Sequence, residues 1–449
     1  MPRRRKKKIA EKFAPLDAVP EKSPTPPPSS ASDSDPGDDH SDRSCHSEDS
    51  DVSSFAGSSL RCSTATSSAA SSFGGDSWDD DGSFFTPVAP EDRLIGRYVI
   101  DKCLEQGGFA SVFRVTKCKG SNAPKQLAMK VYSTDSESNV AREVEVLRAL
   151  AGKSPHVLSA SDLHSFVAST TQERHYYFTM PLFPTDLSSL LNTEMGGSDS
   201  SAATSASSNF AGTSAGSNGP ILTGHEPSEL ALVADRVLAP AGVRQILLQV
   251  LDGLEAVHAA GYVHADLKPE NVLVDYADVF DPEDPEQVDL SKLKVCLCDL
   301  GSAYKLSQKR HDPYGHTLCF AAPEVVTNDG RLIGTPVDVF SYGAFYVEVL
   351  TEQTLFVNMR DQILHLAEVM QMDSTGKVPP ELTESREFFT RHGQLRHNAA
   401  RRAAHLQPWH ANMNLTKKQR QFVERCCRVD PAARCTLPEI RAILDSLHP

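Results

Sequence analysis

The chain has 449 residues, with 45 Lys or Arg against 59 Asp or Glu, a formal net charge of −14. Its 39% hydrophobic content is enough for a core, and the acidic balance argues against a general nucleic-acid coat or a binder of anionic membranes. No run of about 18 apolar residues is present to cross a membrane, and the ten cysteines include no Cys-x-x-Cys pair, which disfavours a zinc ribbon and fits reduced thiols in the cytosol or nucleus.

Residues 1–96 read as a disordered tail. The tail opens on the basic cluster Arg3 to Lys8, with no apolar segment after it to make a secretory signal. It passes through Pro24, Pro26, Pro27 and Pro28, then turns acidic and serine-rich from Asp33 to Asp42 and at Asp79-Asp80-Asp81. Such a composition buries too little apolar surface to offset chain entropy. The basic cluster is a candidate nuclear localisation signal, so a cytoplasmic or nuclear protein, not a secreted one, is expected.

From Arg97 the pattern changes. Tyr98-Val99-Ile100, Ser111 to Val115 and Gln126 to Tyr132 read as strands. Val140, Val144, Leu147 and Leu150 recur at helical spacing, and Tyr176 to Met180 is strand-like again. Residues 192–225, rich in Ser, Ala, Gly and Thr, read as a flexible insert. After it, Ile246, Leu247, Val250, Leu251, Leu254 and Val257 make one helical stripe. Apolar strands follow at Val272-Leu273-Val274 and Leu293 to Leu297, and the remainder to Leu447 is mostly helical. Strands first and helices after predict an α+β chain: a small β-rich lobe at about 97–180 and a larger α-helical lobe at about 181–447.

The segment His264-Ala265-Asp266-Leu267-Lys268-Pro269-Glu270-Asn271 lies between the helical stripe and the next strand. Cys298-Asp299-Leu300-Gly301 follows the strand after that, then Ala322-Pro323-Glu324 and Asp338-Val339-Phe340-Ser341-Tyr342-Gly343. Singly, such residues are ordinary: a lone Asp or Lys is a solvated charge and a lone Asn a turn residue. In this order, from about Arg97 to Leu447, they resemble the eukaryotic protein kinase family.

That resemblance implies a bilobal protein-kinase fold and a serine/threonine protein kinase that uses ATP and Mg²⁺ on protein substrates. The transition state of phosphoryl transfer spreads negative charge over oxygens, so cations and positioning are what the protein must supply. By the resemblance, Asp266 orients and deprotonates the attacking hydroxyl, Lys268 neutralises the moving phosphate, and Thr317 hydrogen-bonds both. Asn271 and Asp299 are the implied metal ligands, hard oxygens for a hard cation. Lys130, in Ala128-Met129-Lys130, would grip the α- and β-phosphates, with Glu143 as its helix partner and Glu145 as runner-up. Gly107, Gly108, Val112, Ala128 and Met180 complete the implied nucleotide pocket. Glu324 is expected to pair with Arg434.

Two departures stand out. The glycine loop is Glu105-Gln106-Gly107-Gly108-Phe109-Ala110, which keeps only the middle glycine of Gly-x-Gly-x-x-Gly; Glu105 would repel nucleotide phosphate if turned inward. Ala265 replaces the family arginine that receives an activation-loop phosphate, so activity without phosphorylation between Gly301 and Thr317 is expected. A weaker resemblance, to the SR-protein kinase branch of the CMGC group, rests on Gly376-Lys377-Val378-Pro379, Glu387-Phe388-Phe389 and Gly393 to His397. It implies Arg/Ser-rich substrates, although the insert precedes Asp266 and Ala321 stands where that group has arginine. The alternative is a catalytically weak kinase-fold scaffold that recruits partners through its tail. A monomer that binds neither nucleic acid nor membrane is expected.

Overall fold

A computed structural model describes residues 93–447, apart from 107–108, 119–124, 134–136, 162, 194–226, 282–283, 285–286, 308–315, 329–330, 332, 358–360, 397–408 and 410–412. The tail to residue 92, the bulk of the insert, and the glycines Gly107 and Gly108 lie outside the described residues.

The first part is a six-stranded antiparallel sheet crossed by one helix. Strands β1 (Leu94–Ile95), β2 (Tyr98–Gln106), β3 (Ala110–Lys117) and β4 (Lys125–Tyr132) precede helix α1 (Glu137–Leu150); β5 (His164–Val167) and β6 (Arg174–Pro181) follow it. The order across the sheet is β1-β2-β3-β4-β6-β5. Side chains alternate between faces along a strand, and the two faces build different cores. Phe113, Val115, Met129 and Val131 pack with Ile100 and Tyr177 on one face. Ala128, Tyr132 and Phe178 pack on the other against Val140, Val144, Leu147 and Leu150, the helical stripe of α1.

The second part is helical, with short strands at its upper edge. Strand β7 (Thr185–Asp186) leads into α2 (Leu187–Thr193), then α3 (Pro227–Val237) and α4 (Pro240–Ala259). Strands β8 (Tyr262–Val263), β9 (Val272–Asp275), β10 (Lys294–Leu297) and β11 (Tyr304–Lys305) carry the chain across the top. They form two small sheets, β10-β9-β7 and β11-β8. Helices α5 (Pro323–Val326), α6 (Pro336–Thr351), α7 (Gln362–Met372), α8 (Pro380–Thr383), α9 (Lys417–Cys426) and α10 (Leu437–Leu447) complete it. The α4 stripe, Ile246, Leu247, Val250, Leu251 and Leu254, is buried at the centre of the largest core, beside Phe340, Phe345 and Tyr346 of α6. Gly343 allows α6 to approach α9: a Cβ there would stand 2.6 Å from Cys427 Sγ and 2.7 Å from Cys426 Cβ. Among the described residues no single helix is long and apolar enough to cross a membrane.

Candidate active site

The site forms where the sheet faces the loops above α4. Met129 points into the sheet core, so the period of two puts Ala128, Lys130 and Tyr132 on the opposite face. There Lys130 Nζ lies 2.9 Å from both oxygens of Glu143 and 2.8 Å from Asp299 Oδ1. Glu145 takes no part; its carboxylate accepts from Tyr262 Oη at 3.5 Å. Tyr132 Oη donates to Glu143 Oε2 at 2.6 Å in a buried position. No motif pointed to Tyr132, though the alternation along β4 carried the signal.

Asp299 follows β10 and sits in the left-handed region, φ 51° and ψ 65°, a conformation that costs a non-glycine residue about 1–3 kcal/mol and that surrounding contacts must hold. The Lys130 ammonium, outweighing burial, keeps the Asp299 carboxyl down at about 2. Burial works to lower the pKa of Lys130, but Asp299 and Glu143 raise it well above its ordinary value, so the ammonium stays charged. Gly301 is small of necessity: a Cβ would come to 3.3 Å from both Asp299 Oδ1 and Glu143 Oε2. Its carbonyl accepts from Arg142 Nη1 of α1 at 3.3 Å, tying the helix to this segment.

Asp266 follows β8 in a loop fastened from beneath by α6. Asp338, fully buried in the first turn of α6, accepts from the amides of His264 and Ala265 at 2.8 Å each, and its Oδ2 lies 2.7 Å from His258 Nε2. Burial would raise the pKa of this carboxyl; the His258 hydrogen bond and charge, with His264 and the Ala265 amide, bring it below its ordinary value. The helix N-terminus favours a carboxylate at the same place. The anchored loop holds Ala265 at φ 69°. His264 accepts from the Asp266 amide at Nδ1 (3.3 Å), which makes Nε2 the proton-bearing nitrogen that donates to the Cys298 carbonyl at 3.1 Å. On the loop's other side the Ala265 carbonyl meets His316 Nδ1.

The Asp266 carboxylate is almost enclosed by donors. Thr317 gives its amide and its hydroxyl to Oδ1, each at 3.1 Å. Asn271 Nδ2 donates to Oδ2 at 3.0 Å and to the Asp266 carbonyl at 2.7 Å. Lys268 Nζ lies 3.5 Å from Oδ2 and donates to Thr317 Oγ1 at 2.9 Å. Burial works against the Lys268 charge, but Asp266 and Glu270 more than offset it and raise the lysine's pKa.

The remaining expected residues fall around these. Ala128 stands opposite Met180 across β4–β6, and Val112 opposite Lys130 across β3–β4; all three pack on the core beside α1. Glu324 and Arg434, both buried, form a two-pronged pair at 2.6 and 2.7 Å. Asn271 spends its amide nitrogen on Asp266 and Asp299 spends Oδ1 on Lys130, so Asn271 Oδ1 and Asp299 Oδ2 are the oxygens that would hold Mg²⁺. Among the described residues no group of three His, Cys, Asp or Glu could hold a metal by itself.

Comparison with known proteins agrees with this geometry. Residues 223–444 match the model of the protein kinase domain family. A meiosis induction protein kinase of Saccharomyces cerevisiae is 27% identical over 219 residues, 46% of this chain and 34% of that protein. Mitogen-activated protein kinase 12 of Mus musculus is 33% identical over 153 residues, 34% of this chain and 36% of that protein. Dual specificity tyrosine-phosphorylation-regulated kinase 3 of Homo sapiens is 26% identical over 308 residues, 68% of this chain and 41% of that protein. The chain thus spans less than half the length of these curated relatives. It carries a domain of the protein kinase family and has the bilobal fold of that family.

Proposed function

We propose that this domain is an active, ATP- and Mg²⁺-dependent protein kinase acting on Ser and Thr hydroxyls. The observation that carries the reading is the contact of three side chains: Thr317 Oγ1 accepts from Lys268 at 2.9 Å while donating to Asp266 at 3.1 Å. A carboxylate that can take a proton and a cation that can meet phosphoryl oxygens therefore stand at one point. In the proposed step a protein hydroxyl attacks the γ-phosphorus, its proton passes to Asp266, and the bond to the β–γ bridging oxygen breaks. Lys268 and Lys130 offset charge on the phosphates, while Val112, Ala128 and Met180 border the base. Mg²⁺, held by Asn271 and Asp299, would neutralise phosphate charge.

The purified 449-residue chain, radiolabelled ATP and a mixture of basic proteins test this against Asp266→Asn and Lys130→Met. Incorporation is expected in the parent, with each variant down about 10²–10⁴-fold. Equal incorporation by all three would overturn the enzyme reading in favour of a scaffold, whose support is the irregular glycine loop. Within the enzyme reading, Arg/Ser-rich proteins are the substrate class suggested by segment 376–397, and a peptide array decides it. Nuclear entry through Arg3 to Lys8, which lies outside the described residues, is checked by a fluorescent fusion with those six side chains replaced.

A further inference from the structure

Glu105 stands next to last in β2, where the chain hands over to residues 107–108, opposite Val112 of β3. The β2–β3 register shifts between Cys103 and Glu105, and such an irregularity re-aims the side chains beside it. Glu105 is exposed; cross-strand partners share a face of the sheet, so with Val112 and, one strand further, Lys130 it stands on the face that meets α1. The charges of Asp299, Lys130, Asp186 and Lys268 all act on its carboxyl, and the Cys298 thiol beside Asp299 feels the Glu105 charge in return. Crowding by surrounding protein, then Asp299, raises its proton affinity, while Lys130 and Lys268 pull the other way.

Both cations already have partners of their own and are shared with it. Lys130 is taken by Glu143 and Asp299, and Lys268 by Thr317 and Asp266. A loop that cradles phosphates works by presenting backbone N–H groups with no side chain in the way. Here a carboxylate stands near the end of β2 on the face that carries Lys130, and competes with any phosphate for Lys130 and Lys268.

We propose that Glu105 sets nucleotide affinity: its carboxylate opposes the phosphates, so that ATP enters only together with enough divalent cation to offset it. This inference rests on the nucleotide-binding reading above. Removing the charge should tighten nucleotide binding most where Mg²⁺ is scarce, because the cation and the substitution cure the same repulsion.

The test is a titration of trinitrophenyl-ATP fluorescence on the parent 449-residue chain and on Glu105→Gln and Glu105→Gly, across a Mg²⁺ series, with adenosine as a displacing ligand that lacks phosphates. At low Mg²⁺ both variants should bind trinitrophenyl-ATP on the order of tenfold more tightly, the ratio shrinking as Mg²⁺ rises. The adenosine dissociation constant, corrected for the changed affinity of the probe, should be unchanged. Equal affinity of parent and variants at every Mg²⁺ concentration would overturn the role of Glu105 alone. An equal gain for adenosine would also overturn it, since the effect would not lie at the phosphates. Failure of all three proteins to bind any nucleotide, with circular dichroism showing them folded, would overturn the nucleotide-binding reading and this inference with it.

Discussion

Tyr132 and His365 show what single buried groups do here. Tyr132 Oη gives Glu143 a hydrogen bond of 2.6 Å, on the carboxylate that also faces Lys130. Hydrogen bonds to charged groups are worth about 1.5–3 kcal/mol, and a partner left unsatisfied loses more than the bond itself. Tyr132→Phe should therefore lower the thermal midpoint by an amount equivalent to about 2 kcal/mol and slow phosphorylation. An unchanged melt would show that Lys130 alone holds Glu143. His365 is fully buried, with Nε2 donating to the Ala321 carbonyl at 2.8 Å. Burial holds its pKa down at about 4, against an ordinary 6.5. The unfolded chain takes the proton first, so the stability tied to neutral His365 is full above pH 6.5. It is lost as pH falls from 6.5 toward about 4, by roughly 3 kcal/mol in all. His365→Gln keeps a donor for Ala321 and should remove that part of the slope, read as the parent-minus-variant difference in urea midpoint across this range. At this scale the sequence was legible where residues come in ordered motifs: Lys130, Glu143 and Asp299 make one cluster of contacts, and Asp266, Lys268 and Asn271 another. Tyr132 escaped notice because alternation tells which residues share a face, not which face meets α1.

Asp338 joins two elements that are far apart in the chain. It lies in the first turn of α6 yet orders the loop after β8, 73 and 74 residues earlier. One carboxylate meets three nitrogen donors through two oxygens. An asparagine would turn one oxygen into a donor facing a donor, freeing part of the loop that keeps Ala265 at φ 69°. Asp338→Asn should thus cost about 1–3 kcal/mol in denaturant melts and depress activity with it. A variant that melts like the parent and phosphorylates normally would show that the loop holds itself. The sequence displayed Asp338 inside a motif, but its task is a tertiary contact that no spacing encodes. Long periodic elements such as α1 and α4 were readable in advance. Strands β7, β8 and β11, of two residues each, have no period to read.

At the scale of the whole molecule, the segment from Asp299 to Thr317 is fastened at both ends by protein groups. At the near end Lys130 holds Asp299 and Arg142 holds the Gly301 carbonyl, both reaching over from the sheet and α1. At the far end Thr317 holds Asp266, and His316 meets the carbonyl of Ala265. Position 265 makes polar contacts through its backbone: its amide goes to Asp338 and its carbonyl to His316, while its methyl is buried in the core and carries no charge for a phosphate to meet. A phosphate orders such a segment through charge-assisted bonds to basic side chains, and at this position that means is missing. Ser302→Ala, Ser307→Ala and Tyr314→Phe combined should therefore leave activity within about twofold of the parent, and phosphatase treatment of the parent should change it as little. A fall of about tenfold or more in the triple variant, with the parent losing the same on dephosphorylation, would mean that a phosphate on this segment finds its cations elsewhere. Arg142 and Lys305, which border one cavity together with Tyr262 and Tyr304, would then be the first to replace.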